Sequence, residues 1–178
     1  IVLRTRDLSV GYAGPPRAEL LESPDLLLLR GERAAILGPN GAGKTTLVRT
    51  LIGELPALHG SVQLGASVRI GYLAQAHAGL QLDRTVLEEL LETRNLPVTK
   101  ARGYLGRFLF SGDDIYKRIG DLSGGERSRV ALAKLTLEGA NFLVLDEPTN
   151  HLDIASQEIL EEVLAQFRGT LLIVSHDR

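Results

Sequence analysis

Gly38-Pro39-Asn40-Gly41-Ala42-Gly43-Lys44-Thr45 is the stretch whose reading decides the fold. It fills every fixed position of the pattern G-x-x-x-x-G-K-[ST]. An apolar run, 34–37, precedes it. In the following stretch, 45–55, Leu47, Val48, Leu51, Ile52 and Leu55 fall on one helical face, and Pro56 and Gly60 close it. Strand, glycine-rich turn and helix, in that order, form the context in which this pattern cradles phosphate. The glycines let the backbone curl so that successive N–H groups point inward. The helix N-terminus adds partial positive charge. Lys44 is placed to reach β- and γ-phosphates, and the Thr45 hydroxyl to ligate Mg²⁺. An ordinary glycine-rich strand-to-helix turn is the blander reading of the same residues. Even the richer one does not choose among families that hydrolyse nucleotides.

A second cluster lies about a hundred residues downstream. Phe142-Leu143-Val144-Leu145-Asp146-Glu147 is an apolar strand ending in two acids, with Pro148 breaking the chain next. A continuous apolar run is what a strand buried in a parallel sheet shows. Its C-terminal end is where such sheets bind ligands. Asp146 is expected to hold Mg²⁺ and Glu147 to act as general base on the attacking water.

Working outward, residues 2–10 alternate as a half-buried strand, Gly14-Pro15-Pro16 marks a turn, and 26–29, 61–64 and 68–73 read as further strands. Residues 85–94 and 99–110 are helix-like and form a small helical insert, placed at about 81–120. A helix from 123 to about 139, a strand at 142–146, a helix at 154–167 and a strand at 170–174 complete the chain. The alternation predicts an α/β fold with a largely parallel sheet. At 178 residues, 44% hydrophobic and 24% charged, the composition is that of one soluble domain. Cysteine is absent, which removes disulfides and Cys-based zinc sites and suits a cytoplasmic protein. No run approaches the roughly 18 apolar residues of a membrane helix, so no membrane insertion is expected. The absence of methionine and the stop at Arg178 lead us to expect a piece of a longer chain. Charge is uneven: residues 94–134 hold nine Lys/Arg against four Asp/Glu, while 135–163 hold seven acids and no Lys/Arg. The basic stretch reads equally as a solvated helical face or as a surface for phosphates.

Leu122-Ser123-Gly124-Gly125-Glu126 resembles the signature sequence of the ATP-binding cassette (ABC) superfamily. Locally Ser123 and Glu126 form an S-x-x-E capping box, and the diglycine bares N–H groups at a helix start. The resemblance spans nearly the whole chain, with its parts in family order. It implies a P-loop NTPase of ABC type: a mainly parallel sheet core, an antiparallel β subdomain and a small helical subdomain in a single domain, 1–178. It implies that residues 38–45 and Thr46 bind ATP, that Tyr12 stacks on adenine, and that Ser123, Gly124, Gly125 and Glu126 grip the γ-phosphate held by a second cassette. Gln75 matches the glutamine that senses Mg²⁺ and the attacking water. His176 matches the switch histidine that contacts the γ-phosphate and Glu147, joining Lys44, Gln75 and Glu147 as catalytic.

Within the superfamily, Pro148-Thr149-Asn150-His151-Leu152-Asp153, residues 108–114 and residues 128–134 resemble the ABC-F branch. Transport cassettes more often carry Ser-Ala-Leu-Asp in that loop. The branch has tandem cassettes and members acting on the ribosome or conferring antibiotic resistance, so the expected partners are a second cassette and ribosomal RNA. The short spacing between Gln75 and Ser123 most resembles the second cassette of a tandem. The resemblance thus implies an ATPase working as a head-to-tail pair. The alternatives are a transporter's nucleotide-binding subunit, a DNA-repair or chromosome-organising ATPase, and a non-hydrolytic regulatory module.

Overall fold

A computed structural model of the chain describes residues 1–14, 18–74, 79–150, 152 and 154–176. It divides into two compact units: 1–72 with 141–147 and 169–178, and 73–140 with 148–168.

The first unit contains two sheets. Strand β1 (Leu3–Tyr12) pairs antiparallel with β2 (Ala18–Glu22), β3 (Leu27–Leu28) and β5 (His59–Leu64). The second sheet has the order β4 (Arg33–Leu37), β8 (Thr170–Ser175), β7 (Phe142–Asp146), β6 (Ile70–Ala74). β8 runs parallel to both β4 and β7. Strand β7 is buried at all five positions, as its unbroken apolar sequence requires. Between the sheets, helix α1 (Lys44–Leu51) turns Leu47, Val48 and Leu51 into one cluster with Leu3, Leu8, Val10, Phe142, Val144, Leu172 and Val174. Each such side chain contributes roughly 1.5–3 kcal/mol on burial. The helix ends at Leu51 rather than near 55, because Gly53 takes a left-handed φ of 86° and stops it. Strand β2 is absent from the sequence pattern; its turn-rich approach at 14–16 and mixed charge hide it.

The second unit is helical: α2 (Val86–Thr93), α3 (Val98–Gly106), two 3₁₀ turns (Gly112–Tyr116 and Ile119–Asp121), α4 (Gly124–Leu137) and α5 (Ile154–Gln166). α2 packs on α3, on α4 and on the first 3₁₀ turn, and α4 packs on α5. Val86, Leu90, Leu105, Ile115, Ile119, Leu132 and Leu160 are buried there. Among the described residues, no helix is long and apolar enough to cross a membrane.

Candidate active site

Residues 38–45 form the loop from β4 into α1. Gly43 is the N-cap, at φ 86° and ψ 10°, and no side chain caps the helix. An L-residue there would be strained, and its Cβ would sit 3.3 Å from Leu20 Cβ. The first N–H groups of α1 lack intrahelical partners by construction. With the helix dipole they form an anion site.

That site opens into a cavity of about 330 Å³ lined by Tyr12, Leu20, Asn40, Gly41, Gly43, Lys44, Thr45, Thr46 and Glu147. The loop, the strand-end acid and Tyr12 are therefore brought together, although more than a hundred residues separate Tyr12 from Glu147. Tyr12 lies at the end of β1, paired with Ala18, and is half exposed toward solvent (53%). Leu20 carries no sequence signal as a site residue; it belongs to the strand that the sequence hides. Pro39 and Ala42 contribute backbone: Ala42 N–H donates to the Pro39 carbonyl, closing the loop's own turn.

Lys44 is buried, and its Nζ donates to the carbonyls of Gly38 (2.7 Å) and Pro39 (2.9 Å). The same ammonium lies 3.7 Å from Glu147 Oε1. Glu147 Oε2 lies 2.7 Å from His176 Nδ1. A carboxylate only accepts, so Nδ1 carries the proton in this contact. Glu147 thus divides its oxygens, one toward Lys44 and one held by His176. Its backbone has φ 51°, a left-handed value rare for a non-glycine residue. The N–H donation from Glu147 to Val174 O at 2.9 Å helps fix it there. Such strain belongs where a side chain must be aimed.

Asp146 is buried. The Tyr72 hydroxyl donates to its Oδ2 at 3.5 Å, a long bond. Burial first, and the Asp146 charge second, push the Tyr72 hydroxyl up to about 12, so it stays a donor. Asp146 Oδ1 is buried and has no hydrogen-bond partner among the described residues. An orphaned carboxylate oxygen is costly unless a cation or its water satisfies it. One carboxylate and one hydroxyl, Thr45, suit Mg²⁺, which keeps waters and phosphate oxygens as its other ligands. Gln75, His151 and Asp153 lie outside the described residues.

The signature residues belong to the second unit. Ser123 Oγ accepts from Glu126 N–H (3.2 Å), and Glu126 Oε2 accepts from Ser123 N–H (2.8 Å). The capping box read from the sequence is therefore present. Gly125 is needed for a different reason: a Cβ there would fall 2.4 Å from Ser156 Cβ on α5.

Comparison with known proteins identifies the family. The family model described as ABC transporter matches residues 21–150. YdiF of Bacillus subtilis is 52% identical over 178 residues, covering 99% of this chain and 27% of its own length. The ATP-binding protein Uup of Haemophilus influenzae is 41% identical over 183 residues, covering 100% of this chain and 28% of its own. The chain therefore spans little more than a quarter of these relatives. Among solved structures, a part of the cbiONQ ABC transporter complex of Clostridium perfringens superposes with a TM-score of 0.78 at 26% identity, over 99% of this chain and 78% of that one. A dimeric ATP-binding cassette in a post-hydrolysis state with ADP and phosphate gives 0.77 at 22% identity, over 98% and 88%, and so shares the fold. The chain belongs to the ATP-binding cassette family and is an ATP-binding cassette protein.

Proposed function

We propose that this cassette hydrolyses ATP as one half of a head-to-tail pair, within a cytoplasmic ABC-F type protein that acts on the ribosome. The observation that supports hydrolysis is the Lys44–Glu147–His176 chain of contacts at the mouth of the phosphate loop. Lys44 and the N–H groups of α1 hold the phosphates, while Tyr12 and Leu20 offer a face to the base. Glu147 takes the proton of the attacking water, with His176 holding its other oxygen. Asp146, Thr45 and Gln75 would hold Mg²⁺, which supplies charge neutralisation on the phosphate oxygens. Ser123, Gly124, Gly125 and Glu126 serve the partner cassette's nucleotide, and the isolated chain is expected to turn over slowly or not at all.

The ABC-F reading is supported by Asn150-His151-Leu152-Asp153 and by relatives such as Uup. A transporter's nucleotide-binding subunit is the second reading, favoured by the family model's description and by the cbiONQ neighbour.

The test uses the full-length parent carrying Glu147→Gln, with the matching change in the other cassette. Turnover is expected to fall at least about a hundredfold, the lower end of general-base contributions, with ATP binding retained. Lysate spun with and without ATP then reports location. ATP-dependent sedimentation with ribosomes supports the translation reading. Membrane association that survives ribosome removal replaces it with transport.

A further inference from the structure

The basic stretch 94–134 separates, in the structure, into cations bonded to carbonyls or carboxylates and cations without such a bond among the described residues. Arg127 donates to the carbonyls of Ile119 and Gly120. Arg129 is buried against the carbonyls of Phe108 and Leu109 and over the Phe110 ring. Lys134 is bonded to the buried Glu89, and Lys117 to Asp114. Those four are structural. The other five, Arg94, Lys100, Arg102, Arg107 and Arg118, are exposed and form no ion pair with any described carboxylate, and of these Lys100, Arg102 and Arg107 stand together. All three stand on α3 or its C-cap, an element with no acidic residue of its own.

Their placement follows from the helix. Ala101 and Leu105 are fully buried, which turns Thr99, Gly103 and Gly106 to the centre of the outer face. Arg102 then flanks that centre on one side, and Lys100 and Arg107 on the other. No described residue lies within 4 Å of a Cβ built on Gly103 or Gly106, so the described residues leave this face uncovered. At the Arg102 edge stands Tyr116, half exposed, with the guanidinium 5.6 Å from its ring centre. The acids of that 3₁₀ turn are Asp113 and Asp114, the second paired with Lys117.

We propose that the outer face of α3 docks on the phosphate backbone of RNA, with Tyr116 against an unpaired base. Unpaired cations match the charge of the backbone. An exposed aromatic beside them suits a base splayed from a loop, the usual form in which RNA is recognised. An anionic bilayer fits less well, since the centre of the face carries no large apolar side chain to insert.

The test is fluorescence polarisation of a labelled RNA stem-loop. A DNA duplex of the stem sequence, phosphatidylserine vesicles and polyglutamate serve as competitors. The triple variant Lys100→Glu/Arg102→Glu/Arg107→Glu is expected to weaken RNA binding at least tenfold. It should lower the slope of log K against log salt by about 2 to 3, three contacts at roughly 0.7–0.9 each. Arg168→Glu, an exposed cation elsewhere, should change neither, and nucleotide binding by the triple variant should stay at wild type. Should the triple variant fail that folding control, Lys100→Gln/Arg107→Gln and Tyr116→Ala carry the same comparison. Equal RNA binding by wild type and variants, no wild-type binding near physiological salt, or better competition by vesicles, polyglutamate or duplex DNA overturns the proposal. The failure of the ribosome reading is separate: it would show as absent co-sedimentation while α3-dependent RNA binding persists.

Discussion

Two of the described helices begin at glycines, and they treat their first N–H groups in opposite ways. α1 starts at Gly43 with no capping side chain, so its first N–H groups have no side-chain partner at the cap. α4 starts behind Ser123, and the capping box satisfies one N–H of its first turn and that of the cap itself. The difference teaches that glycine has two uses here. In the phosphate loop it supplies a left-handed turn, whereas at Gly125 it supplies space for Ser156. An open N-terminus can hold several phosphate oxygens. A self-capped one can offer only its remaining donors, which fits a role completed by a nucleotide presented from elsewhere.

The sharpest way to break this contrast is Lys44→Ala. The open N-terminus of α1 would remain, but the ammonium that lies beside Gly38, Pro39 and Glu147 would be gone. Charge-assisted hydrogen bonds contribute about 1.5–3 kcal/mol each, so ATP affinity by isothermal titration should fall a hundredfold or more. A loss under fivefold would mean that the backbone nest alone carries the binding. Next in size is Gly125→Ala. A Cβ 2.4 Å from Ser156 Cβ forces α4 and α5 apart, at a cost of about 1–3 kcal/mol in denaturant unfolding. Ser156→Gly in the same chain should recover most of that, and additive losses would show that the two sites do not meet.

Most of the first unit's site was legible because its residues lie in contiguous, chemically specific words. Residues 38–45 and 142–147 need only their own neighbours to be read, whereas Tyr12 and His176 were expected only from the family resemblance. Leu20 and Tyr72 were not legible as site residues. Leu20 joins the cavity through the β1–β2 pairing, which a turn-rich segment concealed, and Tyr72 meets Asp146 only once both lie in one sheet. The requirement at Gly125 was hidden for the same reason: helix-to-helix closeness leaves no local pattern. The division of the basic stretch was also invisible. Counting charges put Arg127, Arg129 and Lys134 with Lys100 and Arg107, and only geometry separates cations bound to carbonyls and Glu89 from those without an ion pair.

Smaller effects sharpen the contrast at α4. Ser123→Ala should cost about 1 kcal/mol of stability, the ordinary value of an N-cap, while leaving ATP affinity at the phosphate loop unchanged. A matching loss of affinity would show that the two helix starts are energetically coupled. Helix α2 provides a second self-capped N-terminus for comparison, with Thr85 and Glu88 forming the same box. There the Thr85 backbone N–H first, and its hydroxyl second, hold the Glu88 carboxyl below its ordinary value. A depressed carboxylate stabilises the fold above the unfolded value, roughly 4.3, and loses that contribution as pH falls through the folded value. Glu88→Gln removes this titration. The melting-temperature gap between wild type and Glu88→Gln should therefore be constant near neutral pH and shrink on acidification below about 4. It should be the smallest change of the four, since Glu88 is exposed to solvent and salt. A gap that widened on acidification would mean that the protonated carboxyl caps α2 better than the carboxylate, and the electrostatic account of this N-terminus would fail.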